Sequence, residues 1–504
     1  MKKVLSLILV LCMVLCVLVS CGNKDGSDTP SGSDTAGDKY TWPSNLDYSG
    51  YDGYDFRILE WGGTGGEHWS AFEFYYNEGL EGDVVNDAVK TRDSKLEEKL
   101  NINIEYVEKG VGEILEFARQ SIDAGADDFD LISAKISDAA SLAQDNKLYN
   151  LYDYSNILNL NEKWWNQSAN EQLSIDNRLY FTINNLTLVD KNSTWVVFFT
   201  KSMLDAYPGL TEGYENGLYD MVKQGDWTIE KMDEMVKTVS GDVNGDGEYT
   251  EVDRYGHVGE QFNLGALMIG CGSRVSKKDA DDIPQYVWLD SVDSLVDSYS
   301  YVNEIVMDTN YSMLSGRLTG LIDGDVWVDG FGSMMNDDRV LFNVTGMNRC
   351  RLYRGLECSF GIVPVPKANK SQTEYYSPMS MGFANTVAIP VSVTDPERSA
   401  TVLEAMTCLA DQTTYTAYLD KAVAYKYLQA DKDSLEMLDI IFANRIFDSV
   451  DVYGMGDGTY AMFGKNPQPS KVASNIKALQ KYTQNKMKNV IEKFREFDDL
   501  NAGK

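Results

Sequence analysis

The stretch YDFRILEW, Tyr54–Trp61, followed by DVVNDAVKTRDSKLEEKLNINIEYVE, Asp83–Glu108, decides the fold class. YDFRILEW reads as a strand. In the second stretch Val85, Val89, Arg92, Leu96 and Leu100 fall on one helical stripe, with Arg92 its single polar member. INIEYVE then alternates as a second strand, EILEFARQSI (Glu113–Ile122) returns to helical spacing, and FDLISAK (Phe129–Lys135) is a third, apolar strand. The order β-α-β-α-β implies an α/β fold with a parallel sheet and right-handed crossovers. In such sheets ligands gather beyond the carboxyl ends of the strands. WGGTGGEHW, Trp61–Trp69, and KISDAA, Lys135–Ala140, occupy those positions.

Downstream the same grammar returns with different spacing. LYFTINN (Leu179–Asn185), TWVVFFTK (Thr194–Lys201), RVLFNVTG (Arg339–Gly346), FGIVPVP (Phe360–Pro366) and NTVAIP (Asn385–Pro390) read as strands. DWTIEKMDEMVKTV (Asp226–Val239) is a helix begun at Thr228, and TDPERSATVLEAMTCLA opens another, with Asp395 as N-cap and Pro396 in the first turn. A chain of 504 residues exceeds what one hydrophobic core usually serves, so two lobes are expected. The formal net charge is −32, from 45 Lys and Arg against 77 Asp and Glu, which argues against nucleic acid as a partner.

The N-terminus carries MKK and then an apolar run, VLSLILVLCMVLCVLVS, ending in small residues. GNKDGSDTPSGSDTAGDK, Gly22–Lys39, has no large apolar residue and is a flexible tether by composition, with a reach of roughly 25 Å. Beyond this region Cys271, Cys350, Cys358 and Cys408 remain, with no CxxC spacing. Buried free thiols, or a disulfide between Cys350 and Cys358, are both compatible with that set.

Several stretches in fixed order carry a family resemblance: GDVVNDAVKTRDSKLEEKLNINI, GDWTIEKMDEM with an acidic Gly loop after it, FGIVPVPK with EYYS following, IPVSVTDPERSATVLEAM and SLEMLDIIFANRIFD. With them the chain resembles the family 1 extracellular solute-binding proteins, the maltodextrin-binding-protein-like receptors of bacterial sugar ABC importers. LVSC, Leu18–Cys21, resembles a lipobox, which makes Cys21 the expected lipidation site. The resemblance implies a two-lobed periplasmic-binding-protein (Venus flytrap) fold, each lobe a mainly parallel sheet flanked by helices. Residues 1–20 would be a lipoprotein signal peptide and 21–45 a lipid-anchored tether. Residues 46–185 plus about 355–383 would form lobe 1, and 186–354 plus about 384–504 lobe 2, with crossings near 184–190, 345–359 and 383–386. It further implies an extracytoplasmic, membrane-anchored monomer without enzymatic turnover, whose partners are a carbohydrate ligand and the permease subunits of the importer.

Sugar recognition calls for flat apolar faces against ring C–H groups and planar polar groups for hydroxyls. Trp61 and Trp69 flank the Gly-rich turn after the first strand, Trp327 lies among Gly and Asp in DGDVWVDGFGSMM, and Tyr376 follows the FGIVPVPK strand. Glu67, Lys135, Asp138 and Asn185 lie at expected strand ends or crossings and complete the candidate ligand set. Of the adjacent Trp164 and Trp165, one is expected to face the cleft, whereas Trp195, inside an apolar strand, is expected in the core. An exported carbohydrate-active enzyme using two carboxylates, or a same-fold receptor for peptide or another solute, stands as the alternative.

DVNGDGEYTEVD, Asp242–Asp253, places Asp242, Asn244, Asp246, Glu248 and Asp253 at positions 1, 3, 5, 7 and 12 of a calcium-type loop, with Gly247 at the sharp turn. A structural Ca2+ is thus the one candidate cofactor. An acidic turn that binds no metal is the competing reading, because position 12 is Asp and no clear second helix follows. His68 and His257 have no partner at metal-ligand spacing.

Overall fold

The computed structural model describes residues 39–61, 74–428 and 431–501. The expectations for Cys21, Glu67 and Trp69 lie outside the described residues. Along the chain the strands are β1 (Tyr54–Trp61), β2 (Ile102–Lys109), β3 (Leu131–Lys135), β4 (Trp195–Thr200), β5 (Tyr255–Gly259) and β6 (Ser276–Lys278). They continue with β7 (Pro284–Tyr286), β8 (Ser312–Leu314), β9 (Val340–Gly346), β10 (Phe360–Val363) and β11 (Asn385–Ala388).

The first sheet has the order β11-β3-β1-β2, with β1 parallel to both β2 and β3. Between β1 and β2 runs the helix Val84–Leu100, whose buried residues include the whole predicted stripe. Asp83 accepts hydrogen bonds from the amides of Val85 and Asn86, which supplies acceptors for N–H groups that a helix start leaves unpaired. At the other end Asn101 adopts a left-handed conformation and turns the chain into β2. Arg92 is buried within the stripe because its charge is answered: it donates to the Phe74 carbonyl at 2.7 Å, to the Tyr106 hydroxyl at 2.9 Å and to Asp93 at 2.8 Å.

The second sheet has the order β10-β4-β9-β5-β8. Its β5 is parallel to β8 and β9, but β4 runs against both β9 and β10, so this sheet is mixed rather than mainly parallel. The reason lies in how the chain enters. Residues 184–194 leave the first sheet, where Thr182 bridges Val387, and deliver β4 to the end at which β9 finishes, pairing Trp195 with Gly346. A strand begun there must run opposite to one that ends there.

The sheets also correct the expected division of the returning chain. Segment 355–383 contains β10, which belongs to the second sheet, and segment 384–504 begins with β11, which closes the first. Residues 345–359 therefore join two strands of one sheet and do not cross. The return runs through 364–384. A further connection is the helix Pro396–Ala410, continued by π-helical turns to Tyr427, which packs along Val84–Leu100 and reaches Arg349–Tyr353.

Among the described residues Cys271, Cys350, Cys358 and Cys408 are all free thiols, so the Cys350–Cys358 disulfide is not formed. No helix among them is long and apolar enough to cross a membrane.

Candidate ligand cavity

Three strand ends of the second sheet meet at one place: the carboxyl ends of β5 and β9 and the amino end of β4. Asn263 fastens the ends of β5 and β9, accepting from the Glu260 amide at 2.9 Å and donating to the Val344 carbonyl at 2.9 Å. Gly259 is required beside it, since a Cβ there would collide with the Asn263 side chain. The first sheet approaches the same place through residues 380–383, immediately before β11, whose Asn385 pairs with Lys135 at the carboxyl end of β3. Between these elements lies a cavity of about 660 Å3.

Aromatic rings form much of its wall: Trp195, Phe262, Trp327, Phe383 and Tyr460. Trp327 sits on the π-helical turn Val326–Gly332, whose first amides are capped by Asp325. Phe331 meets its ring edge-on at 5.3 Å, and the Arg349 guanidinium lies over it at 3.9 Å. Trp195 is only 7% exposed, yet its Nε1 has no hydrogen-bond partner. Phe262, at 61% exposure, stands at the rim. The Tyr460 hydroxyl donates to the Met379 carbonyl at 3.0 Å, fixing that ring against the segment before β11.

The polar groups are of both kinds. Burial pushes the Glu260 carboxyl above the usual carboxylate range, with Arg349 opposing the shift. Burial likewise pulls the Arg349 guanidinium down, against Tyr353, Glu260 and Asp325, which favour its charge. Asp451 is raised by burial and then by the neighbouring Asp448. Its carboxylate accepts from the Thr459 amide at 3.2 Å and occupies the space in which a side chain at position 458 would project, which makes Gly458 necessary. The arrangement thus offers flat apolar faces, an indole donor, a guanidinium and two carboxyl groups, a set suited to an uncharged ring-shaped solute rich in hydroxyls.

Of the residues expected from sequence, Trp327 lines this cavity. Trp61 does not: it is completely buried and donates Nε1 to Asn385 at 3.1 Å, while Asn385 donates in turn to Ser133 at 2.8 Å. It closes the core at the end of β1 instead of offering a face. Lys135 and Asp138 face each other at 3.8 Å beside the end of β3, away from the lining, and burial raises the Asp138 carboxyl. Asn185 donates to Asp411 at 2.9 Å, a carboxylate also engaged by Lys163, and so belongs to the crossing. Tyr376 lies under Arg274 in a different cavity. Neither Trp164 nor Trp165 lines the cavity: both indoles donate to the buried Glu404, at 3.1 and 2.9 Å.

Trp195, expected in the core, sits at the first position of its strand and reaches the cavity from there. Glu260 and Phe262 were legible in RYGHVGEQF, Arg254–Phe262, as residues following a strand end, the position where ligands gather. Arg349 and Tyr460 carry no such local signal.

The Asp242–Asp253 loop is closed by protein hydrogen bonds. Asp242 accepts from the amides of Gly245 at 2.6 Å and Gly247 at 2.8 Å, and Asp246 from Glu248 at 2.8 Å. Asn244 accepts from the Asp246 amide at 2.9 Å and donates to its carboxylate at 2.8 Å. Asp253 is buried, accepting from Val243 at 3.0 Å and Thr250 at 2.8 Å. Among the described residues no three His, Cys, Asp or Glu converge as a metal site. The residues expected to hold Ca2+ thus serve here as acceptors in a string of Asx turns.

No family model matches the chain, and no curated protein matches it. Solved structures do. A cyclo/maltodextrin-binding protein complexed with maltotetraose is 11% identical, with a TM-score of 0.52, over 89% of this chain and 98% of that one. A sugar transporter protein from Rhizobium etli in an open conformation is 12% identical, with a TM-score of 0.52, over 88% and 99%. The galacto-N-biose-/lacto-N-biose I-binding protein of the Bifidobacterium longum ABC transporter is 11% identical, with a TM-score of 0.51, over 87% and 98%. The chain has the two-lobed α/β fold of these solute-binding proteins.

Proposed function

We propose that this protein is the substrate-binding component of an ABC importer, capturing a carbohydrate between its lobes and passing it to a membrane permease. The observation that carries the reading is the cavity at the converging strand ends, where Trp195, Trp327 and Tyr460 offer ring faces and Glu260, Arg349 and Asp451 offer polar groups. The sugars bound by proteins of the same fold support it. Ligand closes the lobes only to the extent that it binds the closed state better than the open one. On this reading Cys21 carries a lipid, residues 22–39 tether the folded body outside the cytoplasmic membrane, and the protein works as a monomer.

Glu260 and Asp451 both line the cavity with raised pKa, the one observation that favours a hydrolase, since such enzymes act through two carboxyl groups. One experiment separates the two. The soluble form beginning after Lys39 is screened by thermal shift against mono- and oligosaccharides, amino acids and peptides, with product analysis on every hit. A receptor gives a saturable shift that follows RT ln(1 + [L]/Kd) and returns the sugar intact. Consumption of the sugar would replace the receptor reading by the enzyme, and a shift with peptide alone would replace the ligand class.

A further inference from the structure

A second cavity, of about 310 Å3, lies where the helix Gln167–Leu173, the β6 strand and the returning segment 446–449 meet, and its lining shares no residue with the cavity described above. Its central group is Arg274. The side chain is 9% exposed, stacks on the Tyr376 ring at 4.3 Å and donates Nη1 to the Ser273 carbonyl at 2.9 Å. Nη2 is buried with no hydrogen-bond partner, and among the described residues Arg274 forms no ion pair. The nearest buried carboxylate is already committed: Asp448 accepts from the Val275 amide at 2.7 Å, the Ser276 amide at 3.1 Å, the Ser276 hydroxyl at 2.6 Å and the Val450 amide at 3.0 Å.

We propose that this cavity is a second ligand site, for a small organic carboxylate held by Arg274. Asp448 and Asp451 favour the charge of this guanidinium without forming an ion pair with it, and a buried guanidinium whose Nη2 has no hydrogen-bond partner, set in a cavity wall, points to a ligand that supplies a direct acceptor. Burial already weakens the hold of Arg274 on its proton, to a pKa of about 10, and a bound anion would reverse that shift. Guanidinium groups pair with carboxylates through their planar fork, and the Tyr376 ring, 4.3 Å away, stacks against the plane of this one. The exposed Lys277 and the Asp282-paired Lys278 add positive charge to the lining, against Glu171 and the committed Asp448, in a chain whose overall charge is −32. The volume, about 310 Å3, stands at the small end of the range for ligand pockets and suits a small molecule. The site also touches the first one through a single element, since Ser449 and Asp451 of the helix Ser449–Val452 line one cavity each.

Isothermal titration of the full-length protein with succinate and citrate tests this, with inorganic phosphate and erythritol as comparators and ionic strength held by sodium chloride. Saturable heat with the carboxylates is expected, none with erythritol, and a Kd raised about tenfold or more in Arg274→Gln and about threefold in Lys277→Gln. Lys277 is exposed, so its variant keeps the fold if Arg274→Gln does not, and Arg274→Lys then reports the loss of the planar fork. Absence of saturable carboxylate binding overturns the proposal, as does binding indifferent to these substitutions. Phosphate bound as tightly as carboxylate, with the same sensitivity, overturns the ligand class. The main cavity is assayed with neutral sugars, so failure there is distinguishable from failure here.

Discussion

At the scale of the residue, the unpartnered Trp195 indole is the sharpest point of the cavity. A buried donor without an acceptor costs roughly 1–3 kcal/mol in the ligand-free protein. Trp195→Phe keeps an aromatic face and deletes that donor. The ligand-free protein should therefore melt no lower than wild type, while the shift produced by ligand shrinks. Equal ligand shifts in the two proteins would show that the N–H meets no ligand acceptor. Trp327→Ala removes a ring face and the support of Arg349, and should weaken binding by roughly 1–3 kcal/mol in calorimetry. His257 makes a different prediction. It is completely buried, with Nδ1 2.8 Å from the Ser312 hydroxyl, and burial pulls its pKa down to about 3. Below pH 6.5 the unfolded chain takes up a proton there that the folded one refuses, so stability falls as pH drops from about 6.5 toward 3. At pH 4.5 this amounts to roughly 2–3 kcal/mol. Denaturant unfolding at pH 7 and 4.5 should show that loss, and His257→Leu should lack that part of it.

At the scale of the element, the Asp242–Asp253 loop separates two accounts of one sequence pattern. If its carboxylates serve backbone amides, Asp242→Ala leaves the amides of Gly245 and Gly247 without acceptors and lowers stability by about 1 kcal/mol, equally with calcium and with chelator. A calcium-dependent loss in wild type, absent from the variant, would restore the metal. The loop also shows what spacing alone leaves open. Alternating Asx residues around Gly are what both a cation loop and a run of Asx turns require, and the buried Asp253, accepting from Val243 and Thr250, is the member of the pattern that ties the loop to the fold. The β1–β3 region was legible for the opposite reason. One stripe from Val85 to Leu100 has a single way to pack, and its order between strands fixes a parallel pairing. The same alternation at β4 carries no directional information. Its antiparallel course follows from where the crossing delivers the chain, which is a property of two sheets and not of the stretch Thr194–Lys201.

At the scale of the whole molecule, the cavity draws residues from positions 195 to 461, and no local pattern reports such convergence. Trp327 was legible because Gly and Asp around an aromatic residue mark a turn; Arg349 and Tyr460 arrive by tertiary packing. The connection between the sheets is held by charges that burial makes expensive. Lys191 donates to the carbonyls of Asn184 at 2.8 Å and Thr187 at 2.9 Å and to Asp190 at 3.2 Å, while Arg445 holds the other oxygen of Asp190 at 2.6 Å. Burial pulls the Lys191 ammonium down to a pKa of about 8, with Arg445 adding to the shift and Asp190 opposing it. The unfolded lysine keeps its proton to about 10.4, so between about pH 8 and 10.4 the unfolded chain binds more protons and stability from this group rises with pH, by up to roughly 3 kcal/mol. Lys191→Met abolishes that rise. Paired denaturant titrations at pH 7.5 and 10 isolate it, because every other tyrosine and lysine titrates in both proteins. A difference between wild type and variant that stays constant with pH would place the charge of Lys191 in a solvated crossing, and the lobes would then move on a wet hinge. A difference that changes by the expected amount makes the crossing a dry, charge-pinned joint, so that lobe closure must rotate about the Asp190 cluster without opening it to water.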